Sequence, residues 1–198
     1  IVLEGNTDNY VSQNPYYLLP NIESGEINSE LSSQSRYVLV PLAQGIKKAD
    51  NIRDTLNISS ILTTSDSAYS KTNLKDMDTM EKEDGDIDGP FDLAVSITEK
   101  VGDDKETQIA YFASASIFND SINSMVSGTN YELLSASLAW MCSTDDSNQI
   151  SIPSKSYDTT TLTVPTADIN FWSIFVTGVL PVCTLLIGFG IWMKRRKQ

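Results

Sequence analysis

The stretch Phe171–Met193 reads FWSIFVTGVLPVCTLLIGFGIWM, and no charged residue interrupts its 23 positions. An α-helix rises about 1.5 Å per residue, so this one reaches roughly 34 Å, enough to cross a hydrocarbon core of about 30 Å with some tilt. Phe171 and Trp172 stand at one end and Trp192 at the other, where amphipathic rings favour the headgroup layer. Lys194, Arg195, Arg196 and Lys197 follow at once. Basic residues beside a span resist translocation, so this end is expected in the cytoplasm and residues 1–170 outside it. The chain therefore divides into an extracytoplasmic domain (1–164), a linker (165–170), a transmembrane helix (171–193) and a cytoplasmic basic tail (194–198).

Charge narrows the partners. The tail takes four of the 14 basic residues and none of the 26 acidic ones, which leaves the outer part with 10 against 26, a balance of −16. No nucleic-acid partner is expected, because phosphate contacts need clustered Lys and Arg. The lipid bilayer is met through the span and not through the acidic domain. About 170 residues suffice for one domain with its own core. The chain has no His, which removes His-based triads, His general bases and most zinc sites together. Its two cysteines, Cys142 outside and Cys183 within the span, are not placed to staple the domain. A disulfide-free outer domain fits a bacterial surface. The chain opens at Ile1 inside an apolar run, without an export signal ahead of it. The expectation is that these residues form the C-terminal portion of a longer protein with a further membrane segment.

Periodicity sets the expected elements. Phe91–Lys100 alternates, with Phe91, Leu93, Val95 and Ile97 on one face and Asp92, Ala94, Ser96 and Thr98 on the other. Gly102-Asp103-Asp104 turns the chain into a second strand, Gln108–Ala115, which places Ile109, Tyr111 and Ala113 together. Ile1–Leu3, Tyr37–Val40, Ile58–Thr64, Ile150–Ile152 and Thr160–Val164 read as further strands or extended arms. Pro15 and Pro20 punctuate Asn14–Ile22 as a turn or short helix, and Asn28–Ser35 reads as polar surface. Thr129–Ser143 predicts a helix. Its Thr129 and Glu132 form a capping-box pattern, and Tyr131, Leu134, Leu138 and Met141 recur at helical spacing, with Leu133 and Trp140 beside them, as its core stripe. Strands alternating with a helix predict an α/β domain with a mixed sheet.

Three groups of residues invite a chemical reading. Lys75–Gly89 is dense in acid and reads as a solvated loop. Within it Asp84, Asp86, Asp88 and Gly89 match the first half of an EF-hand loop, but the twelfth position, where a bidentate Glu belongs, is Val95. The half-match supports at most a weak calcium site, and no other cofactor is expected. Ser114-Ala115-Ser116 with Asn119-Asp120-Ser121 sits at a strand end, where a Ser nucleophile would need a base. No His, S-x-x-K or G-x-S-x-G supplies one, so these side chains read as caps of the strand-to-helix turn. No Walker motif is present, so any ATP chemistry belongs to a partner. In the span, Ser173, Thr177, Pro181, Thr184 and Gly188 recur at spacings of four, four, three and four, a face on which another helix can approach closely. Pro181 is expected to kink that helix.

Several stretches together carry a family resemblance. They are Val2-Leu3-Glu4-Gly5-Asn6 with Tyr17-Leu18-Leu19-Pro20, Leu62-Thr63-Thr64-Ser65 with Ser70-Lys71, and Gly89-Pro90-Phe91 opening a strand. Further on come Ala113-Ser114-Ala115-Ser116-Ile117-Phe118, then Asn130-Tyr131-Glu132-Leu133-Leu134 leading to Leu138-Ala139-Trp140-Met141. Ile150-Ser151-Ile152-Pro153-Ser154-Lys155 precedes a span that holds Leu180-Pro181 and closes on Trp192-Met193-Lys194-Arg195-Arg196. In this order they resemble the C-terminal portion of GldG-type auxiliary proteins of ABC transport systems, in the form found in Gram-positive bacteria. The resemblance implies an extracytoplasmic α/β domain related in fold to class I glutamine amidotransferases. It also implies a separate ATPase and an ABC permease as partners. The amidotransferase Cys–His pair has no counterpart here, so the implied role is non-enzymatic: an accessory subunit whose outer domain binds cargo or a partner protein. The alternatives are an autonomous surface receptor or sensor modulated by calcium, and a membrane-bound hydrolase using Ser116.

Overall fold

In the computed structural model the described residues are 1–32, 36–74, 79–102, 105–142 and 164–196. Strands β1 (Val2–Leu3), β2 (Tyr17–Leu18), β3 (Asn21–Ile22), β4 (Val40–Pro41), β5 (Leu56–Thr63), β6 (Tyr69–Ser70), β7 (Ile87–Asp88), β8 (Asp92–Lys100) and β9 (Glu106–Phe112) alternate with helices. The helices are α1 (Ser29–Ser32), α2 (Asp120–Met125), α3 (Thr129–Cys142), α4 (Thr166–Ile174) and α5 (Leu180–Arg196). The arm expected at Ile150–Ile152 lies outside the described residues, as do residues 160–163 of the arm expected at Thr160–Val164. So do the Asp103-Asp104 turn, residues 75–78 of the acidic loop and the last two residues of the tail.

The main sheet runs β3-β5-β8-β9, with smaller sheets β1-β6-β7 and β2-β4. Every pairing between these strands is antiparallel, which corrects the expectation of a mixed sheet. The connections explain why. A parallel neighbour needs a crossover of a dozen residues or more, usually helical, whereas β8 returns directly into β9. The predicted hairpin forms with an unbroken register, Val95 opposite Tyr111 and Ile97 opposite Ile109. Between β5 and β8 the register slips at Ile61. A bulge of this kind leaves one residue unpaired and turns the chain. It lets consecutive Ile61 and Leu62 both be buried, where strict alternation would expose one of them.

The core gathers Val2, Leu18, Val38, Val40, Leu62, Leu93, Ile117 and Leu133 between the sheets and α3, with a satellite of Val11, Leu19, Leu39, Ile122 and Val126 under α2. Helix α3 begins at Thr129 as expected, the expected end at Ser143 lying outside the described residues, but it turns a different face inward. Its buried residues are Thr129, Asn130, Leu133 and Ser137, while Tyr131 and Leu138 of the expected stripe are exposed. Asn130, fully buried, decides the rotation. Its amide donates to the carbonyls of Leu39 (2.8 Å) and Ile117 (2.7 Å) and its Oδ1 accepts from the Leu39 N–H (3.1 Å). The capping box does not form either. Thr129 Oγ1 donates to the Val126 carbonyl, and the Glu132 carboxylate pairs with Arg36. Two smaller expectations also change. Asn14–Ile22 holds strands β2 and β3 and no helix, and Asn28 is buried, donating to the Ile61 carbonyl at 3.0 Å. On β9, Ile109 and Tyr111 are exposed and Phe112 turns to the core.

Among the described residues one helix is long and apolar enough to cross a membrane: 31 residues from Thr166 to Arg196. Residues 166–170, expected as a linker, are its first turn.

Candidate functional site

The long helix and its attachment to the domain bring together the features that bear on function. Its side chains are exposed throughout the apolar stretch, Ile174 at 69% and Leu185 at 73%. Aromatic rings gather at both ends, as an interfacial belt requires. Phe171, Trp172 and Phe175 contact one another at one end. At the other, Phe189 stacks on Trp192 and the Arg196 guanidinium lies 5.4 Å from the Trp192 ring centre.

The five small or kinking residues of the span do not lie on an uninterrupted α-helix. A wide π-helical turn occupies Phe175–Val179, where the Leu180 N–H reaches back to the Phe175 carbonyl. The cause is local. Pro181 has no N–H to offer the Thr177 carbonyl, so the turn ahead of it opens. Such a turn shifts the helical phase by about one residue, roughly 100°. Pro181, Thr184 and Gly188 therefore share a face of α5, with Thr184 Oγ1 donating to the Pro181 carbonyl at 2.8 Å. Ser173 stands above the wide turn on α4 and Thr177 lies inside it.

At its outer end the helix is fastened to the domain. Pro165 forms a β-bridge with Val11. The Thr166 N–H and Oγ1 both donate to the Tyr10 carbonyl, at 3.2 and 3.1 Å, and Thr166 Oγ1 accepts from the Gln13 N–H at 3.4 Å. Thr166 is 2% exposed. Ser12 and Gln13 both have left-handed backbone, φ 58° and 57°, which non-glycine residues adopt at a cost. The Thr166 hydroxyl holds the second of them. Sequence reading missed this joint, although Pro165 ahead of Thr166 and Asp168 in the first turn is a helix-start pattern.

The acidic loop is built around a lysine. Lys71 is buried, with Nζ 2.6 Å from Glu83 Oε2 and 3.2 Å from Asp86 Oδ2. Burial opposes its charge, but the hydrogen bonds to Glu83 and Asp86 outweigh that and raise its pKa. Asp86 accepts the backbone N–H of Glu83 at 2.9 Å and of Thr72 at 3.3 Å. The Glu83 N–H lowers its pKa most, against burial, with Lys71 and the Thr72 N–H adding to the effect. Asp88 pairs with Lys82 in β7, and Asp84 is exposed. Asp86 and Asp88 of the calcium reading thus face different partners, and Asp84 stands exposed. Among the described residues no three His, Cys, Asp or Glu side chains are grouped to hold a metal.

The Ser-rich turn is a capping structure. Ser114 Oγ accepts from the Ser116 N–H and donates to the Pro41 carbonyl at 2.6 Å, and Asn119 Oδ1 accepts from the Ser121 N–H at the start of α2. Among the described residues no base is hydrogen-bonded to Ser116 Oγ.

Comparison with protein-family models, curated proteins and solved structures finds no match to this chain.

Proposed function

We propose that this protein is a membrane-anchored accessory subunit of an ABC-type transport system. Its domain lies outside the cell membrane and its C-terminal tail in the cytoplasm, and the subunit is non-catalytic. The observation that carries this reading is the exposed helix of 31 residues that ends in Lys194, Arg195 and Arg196 and begins locked to the domain. A helix with apolar side chains on every side is unstable in water and is suited to lipid or to other apolar helices. The basic end supports the orientation. The order of short motifs resembling GldG-type proteins supports the transporter context and an amidotransferase-like outer domain. The outer domain binds cargo or a partner protein, and an ABC permease and a separate ATPase complete the system.

Two experiments test the reading at different levels. A membrane-impermeant maleimide added to intact cells labels the exposed Cys142 if the domain is outside; labelling only after lysis reverses the orientation. Affinity capture of the tagged protein from native membranes, followed by mass spectrometry, brings down an ATPase and a multi-span permease if the transporter reading holds. An eluate lacking both leaves an autonomous surface protein.

A further inference from the structure

A flexible tether would let an outer domain and its span reorient independently. Here the chemistry of the tether is inverted. The junction is tied by the Val11–Pro165 bridge and by three hydrogen bonds at Thr166, and the turn Thr7–Asn9 packs beside α4. No unpaired residue separates the bridge at Pro165 from the first turn of the helix. The irregular point lies further on, inside the apolar stretch. At Phe175–Val179 the backbone closes a wide turn, Pro181 withholds a donor, and Gly178 has no side chain to brace the gap. A helix bends where its ladder of hydrogen bonds is interrupted, and kinks localise at proline and at π-turns.

We infer that the outer domain and α4 form one rigid body, that α5 forms a second, and that the hinge between them is the Phe175–Val179 turn within the membrane. The domain's tilt on the bilayer is then set from inside the bilayer. A neighbouring helix that grips α5 beyond Pro181 reorients the domain without touching it. Conversely, a ligand that holds the domain fixes the angle at which α5 leaves the wide turn. Thr166 is a positioning residue in this device, because it ties the left-handed Ser12-Gln13 turn to the helix start. Pro181 keeps the hinge open by leaving the Thr177 carbonyl without its helical partner.

The inference is tested on the full chain in lipid nanodiscs, with Cys142→Ser and Cys183→Ala as background and spin labels introduced in pairs. One pair, Thr107→Cys with Asn170→Cys, spans the joint. The other, Thr107→Cys with Lys194→Cys, spans the joint and the wide turn. The expected distance distribution is at least twofold broader for the second pair than for the first. Adding Pro181→Ala, which restores the missing donor, narrows the second to the width of the first and leaves the first unchanged. Adding Thr166→Ala broadens the first pair, while circular dichroism reports an intact fold. Two equally narrow distributions overturn the hinge, and so does a second distribution that Pro181→Ala does not narrow. Two equally broad distributions overturn the rigid joint. None of these readouts depends on a transporter partner, so they stand apart from the outcome of the affinity capture.

Discussion

Lys71 Nζ lies 3.2 Å from Asp86 Oδ2, and the two side chains are 1% and 4% exposed. The pair pins the loop that precedes β7 against β6, and Glu83 joins it from the outer side. Replacing Lys71 by Met is expected to leave Asp86 without its cation and to release the loop, since removing one partner of a buried pair strands the other. Limited proteolysis should then cut between Thr79 and Gly85 on the order of tenfold faster than in the unaltered chain. Unchanged cleavage would show that the pair does not hold the loop. Millimolar calcium is expected to leave the thermal unfolding of the unaltered protein where it is, because Asp86 is committed to Lys71 and Asp88 to Lys82. An upward shift in Tm would restore the calcium reading.

The same pair sets a pH response with a definite sign. Asp86 has its pKa lowered below the ordinary 3.8, so its contribution is complete above that value and is lost as pH falls through the lowered one. Lys71 has its pKa raised above 10.5, so its contribution is complete below that value and is lost as pH rises through the raised one. Loop protection is therefore flat between these limits. Amide hydrogen exchange at Thr72 and Glu83, the two N–H groups donated to Asp86, measures it directly after correction for intrinsic rates. Protection that fades near neutral pH would contradict the assignment.

Asn130 makes a prediction about α3 that no hydrophobic scale would make. Asn130→Ala leaves the Leu39 N–H and the Leu39 and Ile117 carbonyls buried without their side-chain partner. At roughly 1–3 kcal/mol for each unsatisfied group, partly relieved by relaxation, the cost is about 2–5 kcal/mol. Leu138→Ala, at a position 49% exposed, should cost less than about 1 kcal/mol. Urea unfolding of the full chain in detergent, followed by circular dichroism, compares the two. The reverse order would return the core face to the Tyr131–Leu138 stripe.

This comparison also shows what the sequence made legible. The span could be read because transfer to lipid depends on length and charge alone, and Phe171–Met193 supplies both without any tertiary contact. The β8–β9 hairpin could be read because side chains alternate with period two across a short turn. The start of α3 was legible, but its rotation was not. Leu134 and Met141 form as good a stripe as Leu133 and Ser137, and the choice was made by an amide that satisfies backbone groups from two distant segments. Lys71 was opaque for a related reason. An isolated lysine in a polar stretch reads as surface, and its burial depends on carboxylates twelve residues and more away in sequence. The joint at Thr166 was lost because Pro165–Asn170 resembles a linker until Tyr10 and Gln13 are seen beside it.

The hairpin allows the sharpest test of how the sheet is seated. Leu93 and Ile109 both fall on apolar faces by alternation, yet Leu93 is 0% exposed and Ile109 is 47% exposed. Leu93 packs in the main core with Leu62, Ile117 and Leu133, so Leu93→Ala removes buried methyl groups and leaves a cavity. Such truncations cost about 2–5 kcal/mol. Ile109 stands on an edge strand, on the Leu93 face of the hairpin through its pairing with Ile97 but further along it where the side chain is exposed, and Ile109→Ala is expected to cost less than about 1 kcal/mol. It loses only part of a cross-strand contact with Ile97. Denaturant titration of the two variants beside the unaltered chain measures the difference, with similar m-values expected because neither changes the area exposed on unfolding by much. Similar losses at the two positions would mean that Ile109, like Leu93, is covered in the folded protein. A larger loss at Ile109 than at Leu93 would mean that the core lies over the far end of the hairpin and not over Leu93.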